Sequence, residues 1–368
     1  MSQTRVTGSI PVDWHVVLVF VRTHKGTHMR GLVLLFAIAL IGLCAQAAPH
    51  AQQVAVERLG LDVFDVVPPS ALVRGEPGRM RLQSPECRTL PPAETRRRIV
   101  DVAVQEWAFF GFRISDQSDT ASGSRRRGPR LGGQEAARVA ASIAGYWAVT
   151  PEGAWIVERQ NDRWNGAQGI GARWNAPWSA AFISWVMCEA GLSGSSRFQR
   201  AVAHHTYIDQ AIRARDGRAP QAAFTAYDAG ETVIEPGDLV CSSRRPAYRT
   251  LAERRRQMGV GARSHCDVVV SVGETRGQIL AIGGNVRGAV TLKLFPAVRG
   301  VGRPLRLAGA RDDRPMFAHL KLRAASIEAN ALHESPTVRT LGCVTGFTAA
   351  TRTVATNLAA AGISAVRC

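Results

Sequence analysis

Between Glu235 and Phe295 the chain repeatedly alternates a turn signal with a short apolar run. "EPGDLVCSS" (235–243) is a turn followed by a strand, "HCDVVVSVG" (265–273) a second strand and "QILAIGGNV" (278–286) a third. "AVTLKLF" (289–295) is a fourth with clean alternation, and "MFAHLKLR" (316–323) a fifth. Upstream the period changes to that of helices. "ETRRRIVDVAVQEWAFF" (94–110) spaces Ile99, Val102, Ala103 and Glu106-Trp107 as a helix does, and "QEAARVAASIAGYW" (134–147) makes a second. A third opens at Pro177 and a fourth is expected over 198–214. Helices first and a small antiparallel meander second define an α+β domain with helices packed on the sheet.

The third helix, "PWSAAFISWVMCEAG" (177–191), carries the most chemical information. Proline suits a first helical position, and Gly191 suits the C-terminal cap. Trp178, Ala181, Phe182, Trp185 and Val186 form a stripe that faces a core. Ser179 lies in the first turn, where free N–H groups and the positive end of the helix dipole stabilise developing negative charge. His265 opens a strand 86 residues later, and Asn285 ends the next strand 20 residues after that. The order is nucleophile, base, orienter: a hydroxyl that must lose a proton on attack, an imidazole to accept it, and a polar group to fix the imidazole tautomer.

The pieces "PWSAAFISWVM", "PGDLV" and "HCDVVVSVG…ILAIGGNV" resemble the papain-like amidases of bacterial cell walls, in particular the CHAP type, over about 120 residues from Pro177 to Phe295. With "HHTYID", "GDLVC" and the helices around Glu106-Trp107 and Tyr146-Trp147, residues 94–323 resemble an uncharacterised exported domain family of proteobacteria. The resemblance implies a papain-like core with serine in place of the nucleophilic cysteine. It implies Ser179 as nucleophile, His265 as base and Asn285 as orienter, with backbone N–H groups and Asn175 holding the oxyanion. The departure is chemical. A thiol with a pKa of about 8.5 is easily turned into a thiolate, whereas a serine hydroxyl needs an aligned base at the moment of attack. Two readings therefore stand: a true serine hydrolase, or a frame that has lost catalysis.

Several other residues are candidates for the groove. His204 and Tyr207 are one helical turn apart and could line it, against the alternative of a packed helix face. Trp164 and Trp174 are the tryptophans that could stack on a ligand, since Trp178 and Trp185 belong to the core stripe. Asp238 follows Pro-Gly in a turn, where a carboxylate commonly caps backbone N–H groups, and Asp267 flanks its strand. Cys188 and Cys266 are placed away from the site by helical and strand periodicity. Cys241 and Cys266 fall opposite each other if their strands pair, either as a disulfide or as buried small hydrophobes.

The ends of the chain bear on location. From Met29, a short positive end, an apolar core of 12 residues (Leu32–Leu43) and the cleavage pattern Ala45-Gln46-Ala47 read as a secretory signal peptide over 29–47. Residues 1–28 read as an upstream extension, the true start being Met29. Six cysteines follow the cleavage point, an even number that permits disulfides in an oxidising compartment. No Cys/His spacing fits a metal, and no cofactor is expected. Residues 48–93, with several prolines, read as a linker or arm; 118–130 as a polar loop; 324–368 as a weakly ordered tail. The net charge of +17 comes from 46 basic residues, of which only Lys25, Lys293 and Lys321 are lysine. So arginine-skewed a count points to codon bias rather than to a nucleic-acid partner, and no binding motif accompanies it. The expected function is that of a periplasmic or secreted protein, with no membrane span after cleavage, that hydrolyses or binds a peptide or glycan polymer of the cell wall. The alternative is a non-catalytic envelope-binding or scaffolding module on the same fold.

Overall fold

The apolar-striped segment after Pro91 folds as α1 (Pro92–Phe109), with Ile99, Val102, Ala103 and Trp107 fully buried. It is followed by α2 (Gly133–Ala148), α3 (Gly153–Asn165), α4 (Ser179–Glu189) and α5 (His204–Arg215). Helix α5 starts six residues later than expected. The stretch before it is irregular and tied to α4, where Ser184 Oγ accepts from the Ala201 N–H at 3.0 Å and donates to the Ala201 carbonyl at 3.1 Å. This computed structural model describes residues 56–117, 133–244, 248–273, 275–301, 304–308, 314–341 and 349–363, all in one unit spanning Ala51–Cys368. The upstream extension, the signal peptide and the 118–130 loop lie outside the described residues.

The sheet is built from β3 (Ile114–Asp116), β4 (Phe224–Tyr227), β5 (Leu239–Ser243), β6 (Ser264–Gly273), β7 (Gln278–Val286), β8 (Ala289–Arg299), β9 (Leu305–Leu307) and β10 (Met316–Leu322). The spatial order is β3-β8-β7-β6-β5-β10-β4, with β9 paired to β8. The expected meander β5-β6-β7-β8 is antiparallel throughout. Two strands add to it: β3 pairs parallel with β8, and β10 inserts between β5 and β4. The molecule is thus a mixed α+β domain.

The strand register separates the two faces. Antiparallel partners share a face, and residues two apart on one strand share it too. Cys241, Cys266, Val268, Ile282 and Leu292 point into the main core beneath the helices. Val240, Val269, Ile279, Ala281 and Phe295 point the other way, into a second, smaller core.

A buried ionic latch ties the layers. Asp238 accepts from Arg96 Nη1 and His319 Nε2, each at 2.8 Å, and from the Leu322 N–H at 3.0 Å, so α1, the turn before β5 and strand β10 meet at one carboxylate. Burial pushes the Asp238 carboxyl up, but the His319 hydrogen bond and the charges of His319 and Arg96 outweigh it and hold it below its ordinary value.

Two boundaries read from the sequence change. The segment expected to be a linker or arm is, from residue 56 on, a strap packed on the helices. It carries a two-stranded ribbon of β1 (Val73–Arg74) and β2 (Arg81–Leu82) and buries Leu59, Phe64, Val66 and Met80. Arg58 donates to both oxygens of the buried Glu106, which also accepts from Tyr146 Oη. Its end is stapled by Cys87–Cys188 to the last turn of α4. Its sparse apolar residues follow neither strand nor helix period because an irregular strap buries single side chains, not a face. The expected tail likewise docks: α7 (Ala331–Glu334), α8 (Pro336–Leu341) and α9 (Ala349–Ala360) bury Leu332, Val338 and Leu358. The intervening short helix α6 covers Leu251–Arg255. Among the described residues no helix is long and apolar enough to cross a membrane.

Candidate active site

Ser179 is the first residue of α4, after Trp178, whose side chain does not cap the helix. The first intrahelical bond runs from the Phe182 N–H to the Trp178 carbonyl at 3.0 Å, so the N–H groups of Ser179, Ala180 and Ala181 have no partner within the helix. Ser179 Oγ lies 2.7 Å from Nε2 of His204, the first residue of α5. The other ring nitrogen, Nδ1, is hydrogen-bonded to Tyr207 Oη one turn along the same helix. All three residues are buried, Ser179 remaining 8% exposed. Burial, reinforced by the neighbouring His265, drives the His204 pKa well below 6.5, so its imidazole is neutral at pH 7. Burial, and the charge of Asp267, push the Tyr207 phenol well above 10, so it stays protonated.

A second cluster adjoins the first. The His265 ring lies with its centroid 5.3 Å from that of His204. Its Nε2 is bonded to Asp267 Oδ1 at 3.0 Å, and Lys293 Nζ donates to Asp267 Oδ2 at 2.8 Å. Strand geometry makes this arrangement: His265 and Asp267 are two apart on β6, and Lys293 of β8 is in register with Ala281, itself opposite Val269. Burial favours the neutral form of Asp267, but Lys293 and His265 outweigh it and hold the carboxyl far below the usual carboxylate range. Burial and the Lys293 charge lower the His265 pKa. The carboxylate occupies space that only glycine leaves open: a Cβ on Gly283 would lie 1.9 Å from Asp267 Oδ1 and 2.9 Å from His265 Nε2. Gly284 gives the same room on the other face, where a Cβ would lie 2.6 Å from Cβ of Phe182 on α4.

The sequence-derived constellation is rearranged in three respects. Ser179 is bonded to His204, which the sequence placed only among groove residues, together with Tyr207. The group that orients His265 is Asp267, not Asn285. Asn285 sits at a register shift in the β7–β8 hairpin with φ +56°, a left-handed conformation that asparagine tolerates better than most residues. The signal for Asp267 was present as the His-x-Asp spacing on a strand; the signal for the Ser179–His204 contact was not, because it depends on how α5 docks. The expected oxyanion and stacking residues serve the loop before α4. The Asn175 N–H donates to Gln160 Oε1 at 2.9 Å, and Trp174 packs edgewise on the buried Trp164, ring centroids 5.1 Å apart. Cys241 and Cys266 are in register and joined as a disulfide with Cα atoms 4.1 Å apart. They form a non-hydrogen-bonded pair, the position in an antiparallel ladder where opposed residues come closest.

Among the described residues no group of three or more His, Cys, Asp or Glu is placed to hold a metal ion. Neither the curated proteins nor the solved structures contain a match to this chain. A family model does match, over residues 136–321, the span that holds Ser179, His204, Tyr207, His265, Asp267 and Lys293. The chain therefore belongs to the bacterial family DUF2272, described as "uncharacterized protein conserved in bacteria".

Proposed function

We propose that this protein is an exported hydrolase of amide bonds, with a papain-like, CHAP-type core and Ser179 as nucleophile. Its substrate is peptidoglycan or another amide-containing polymer of the cell envelope. The observation that carries the reading is the 2.7 Å hydrogen bond between Ser179 Oγ and a neutral, buried His204 at the start of a helix. Export is supported by the signal-like segment 29–47 and by the two disulfides, which persist in oxidising compartments.

The chemistry runs through this chain's own groups. Tyr207 Oη accepts from Nδ1–H of His204, which leaves Nε2 unprotonated and facing Ser179. As Oγ attacks the substrate carbonyl, its proton passes to Nε2. The oxyanion forms beside the unpaired N–H groups at the start of α4, where the helix dipole also favours negative charge. The C–N bond then breaks, and the amine leaves with the proton from Nε2. Water attacks the Ser179 ester, giving one proton to Nε2, and Oγ regains it as the acid departs. His265, its ring fixed by Asp267, walls the site behind His204.

The test is release of soluble fragments from purified sacculi by the mature protein. Ser179→Ala and His204→Gln are each expected to lower the rate by about 1,000-fold or more. Unchanged turnover in Ser179→Ala refutes the proposal. Tight binding to sacculi with no release in any variant, wild type included, assigns the protein to the envelope-binding alternative.

A further inference from the structure

The ladder of β5 and β6 continues past the last residues of both strands. The Arg244 N–H donates to the Arg263 carbonyl at 2.8 Å, which extends the register Ser242–His265 and Ser243–Ser264 by one step. Arg244 and Arg263 are therefore directly opposite each other. Both share the face of His265 and Asp267, since residues two apart on a strand share a face. Both side chains are exposed, and neither has a carboxylate partner among the described residues. Arg314 lies nearby, two residues before β10: the Ser243 N–H donates to the carbonyl of Pro315, the residue after Arg314. The charge of Arg244 reaches His204, His265 and Lys293, and that of Arg314 reaches Lys293 and Arg244.

Like charges directly opposed on a sheet destabilise it. The carboxylate whose charge reaches Arg244, Asp267, already has its two oxygens engaged by His265 and Lys293. A cationic pair facing the site, with no carboxylate paired to it among the described residues, is complementary to an anion supplied from outside. The distance suits a substrate: Arg263 is two positions from His265, about 7 Å along the strand, a span that a guanidinium on its flexible stem covers. Guanidinium groups bind carboxylates in a planar, two-pronged geometry, which fixes orientation as well as affinity.

We propose that Arg244 and Arg263 form a subsite for a substrate carboxylate one to two residues from the scissile amide, so that the preferred substrate is a peptide bearing a free carboxyl group. The proposal names the substrate of the Ser179 site and so rests on that reading, but its test does not need turnover. The probe is an N-acetylated dipeptide with a free C-terminal carboxylate, compared with the same dipeptide as its C-terminal amide. Binding to mature Ser179→Ala protein is followed by calorimetry at low ionic strength. The acid is expected to bind about tenfold or more tightly than the amide, the preference shrinking as salt is added. Arg244→Gln/Arg263→Gln should abolish the preference, and Arg244→Lys/Arg263→Lys should restore much of it; a thermal melt of each variant verifies folding. Equal binding of the two ligands, no binding of either, or a preference that survives the glutamine pair overturns the subsite. A retained preference in a protein that cleaves neither ligand overturns the proposed chemistry and leaves the subsite standing.

Discussion

Replacing Gly283 by alanine offers a direct test of how the second cluster is packed. The added Cβ would lie 1.9 Å from Asp267 Oδ1, whereas ordinary contacts begin near 3.4 Å. The carboxylate would have to retreat by about 1.5 Å. It has nowhere to go without cost, because Oδ1 is bonded to His265 at 3.0 Å and Oδ2 to Lys293 at 2.8 Å. A displacement of that size breaks at least one of them. Charge-assisted hydrogen bonds of this kind contribute about 1.5–3 kcal/mol, and overpacking adds about 1–3 kcal/mol. Partial relaxation shared between the two sets the expected loss at about 2–4 kcal/mol in urea unfolding at pH 7. The mechanism is isolated by a double-mutant cycle. In an Asp267→Ala background the severe 1.9 Å clash is gone and only the 2.9 Å approach to His265 Nε2 remains, so Gly283→Ala should cost at least about 1 kcal/mol less than in the wild type. An equal cost in both backgrounds, or a loss below about 0.5 kcal/mol in the wild type, would refute the packing argument.

Other expectations follow from the same geometry. Tyr207→Phe removes the partner of His204 Nδ1 and should lower kcat by about 10- to 100-fold with KM little changed; an unchanged kcat would mean that the phenol does not position the ring. His204 and His265 have pKa values below those of unfolded histidine, and Asp267 one below that of unfolded aspartate, so at these three groups the folded state binds fewer protons than the unfolded one. Their contribution to stability is fully present above about pH 6.5, declines as pH falls below it and falls again below about pH 4, while buried Asp101, pushed up to about 7, works the other way; a His204→Gln/His265→Gln protein whose melting temperature changes from pH 7 to pH 5 just as that of the wild type does contradicts the histidine part. Cys87–Cys188 closes 101 residues and Cys241–Cys266 closes 25, so loop entropy makes the first the stronger constraint, about 4.7 against about 3.5 kcal/mol. Separate Cys→Ser pairs, compared by urea unfolding, should rank in that order.

What was legible in the sequence was what periodicity controls. Helices α1, α2 and α4 and strands β5 to β8 and β10 were anticipated from a period of 3.6 or of 2. Helix α3 was missed, although Ile156, Val157, Gln160 and Trp164 form its buried face, because exposed Trp155 and the charged residues between them dilute the stripe. Strands β3 and β4, of three and four residues, are too short to show alternation. Of the site, Ser179 was placed by its helix, while the histidine to which it is hydrogen-bonded is His204 and not the expected His265. Nothing in a linear spacing of 25 residues reveals that the starts of α4 and α5 converge. The Asp267–Lys293 pair needed the register of three strands, which is set by the bulge after Val269 and the hairpin at Asn285 as much as by the apolar pattern.

The place of β10 in the sheet has a consequence for how the chain can be made. Strands β4 and β5 lie within 20 residues of each other in sequence yet never pair; each waits for a strand that begins at Met316. The parallel pairing of β3 with β8 spans still more chain. Contacts so distant must meet the entropy of loop closure before they return any stability, which makes folding slow. A nascent chain halted before residue 316 therefore presents two unsatisfied strand edges, together with an Asp238 that lacks His319 and Leu322. Folding can close only when nearly the whole chain is available, and C-terminal truncation is correspondingly damaging: losing the last 53 residues, 316 to 368, removes the strand that joins β4 to the rest of the sheet.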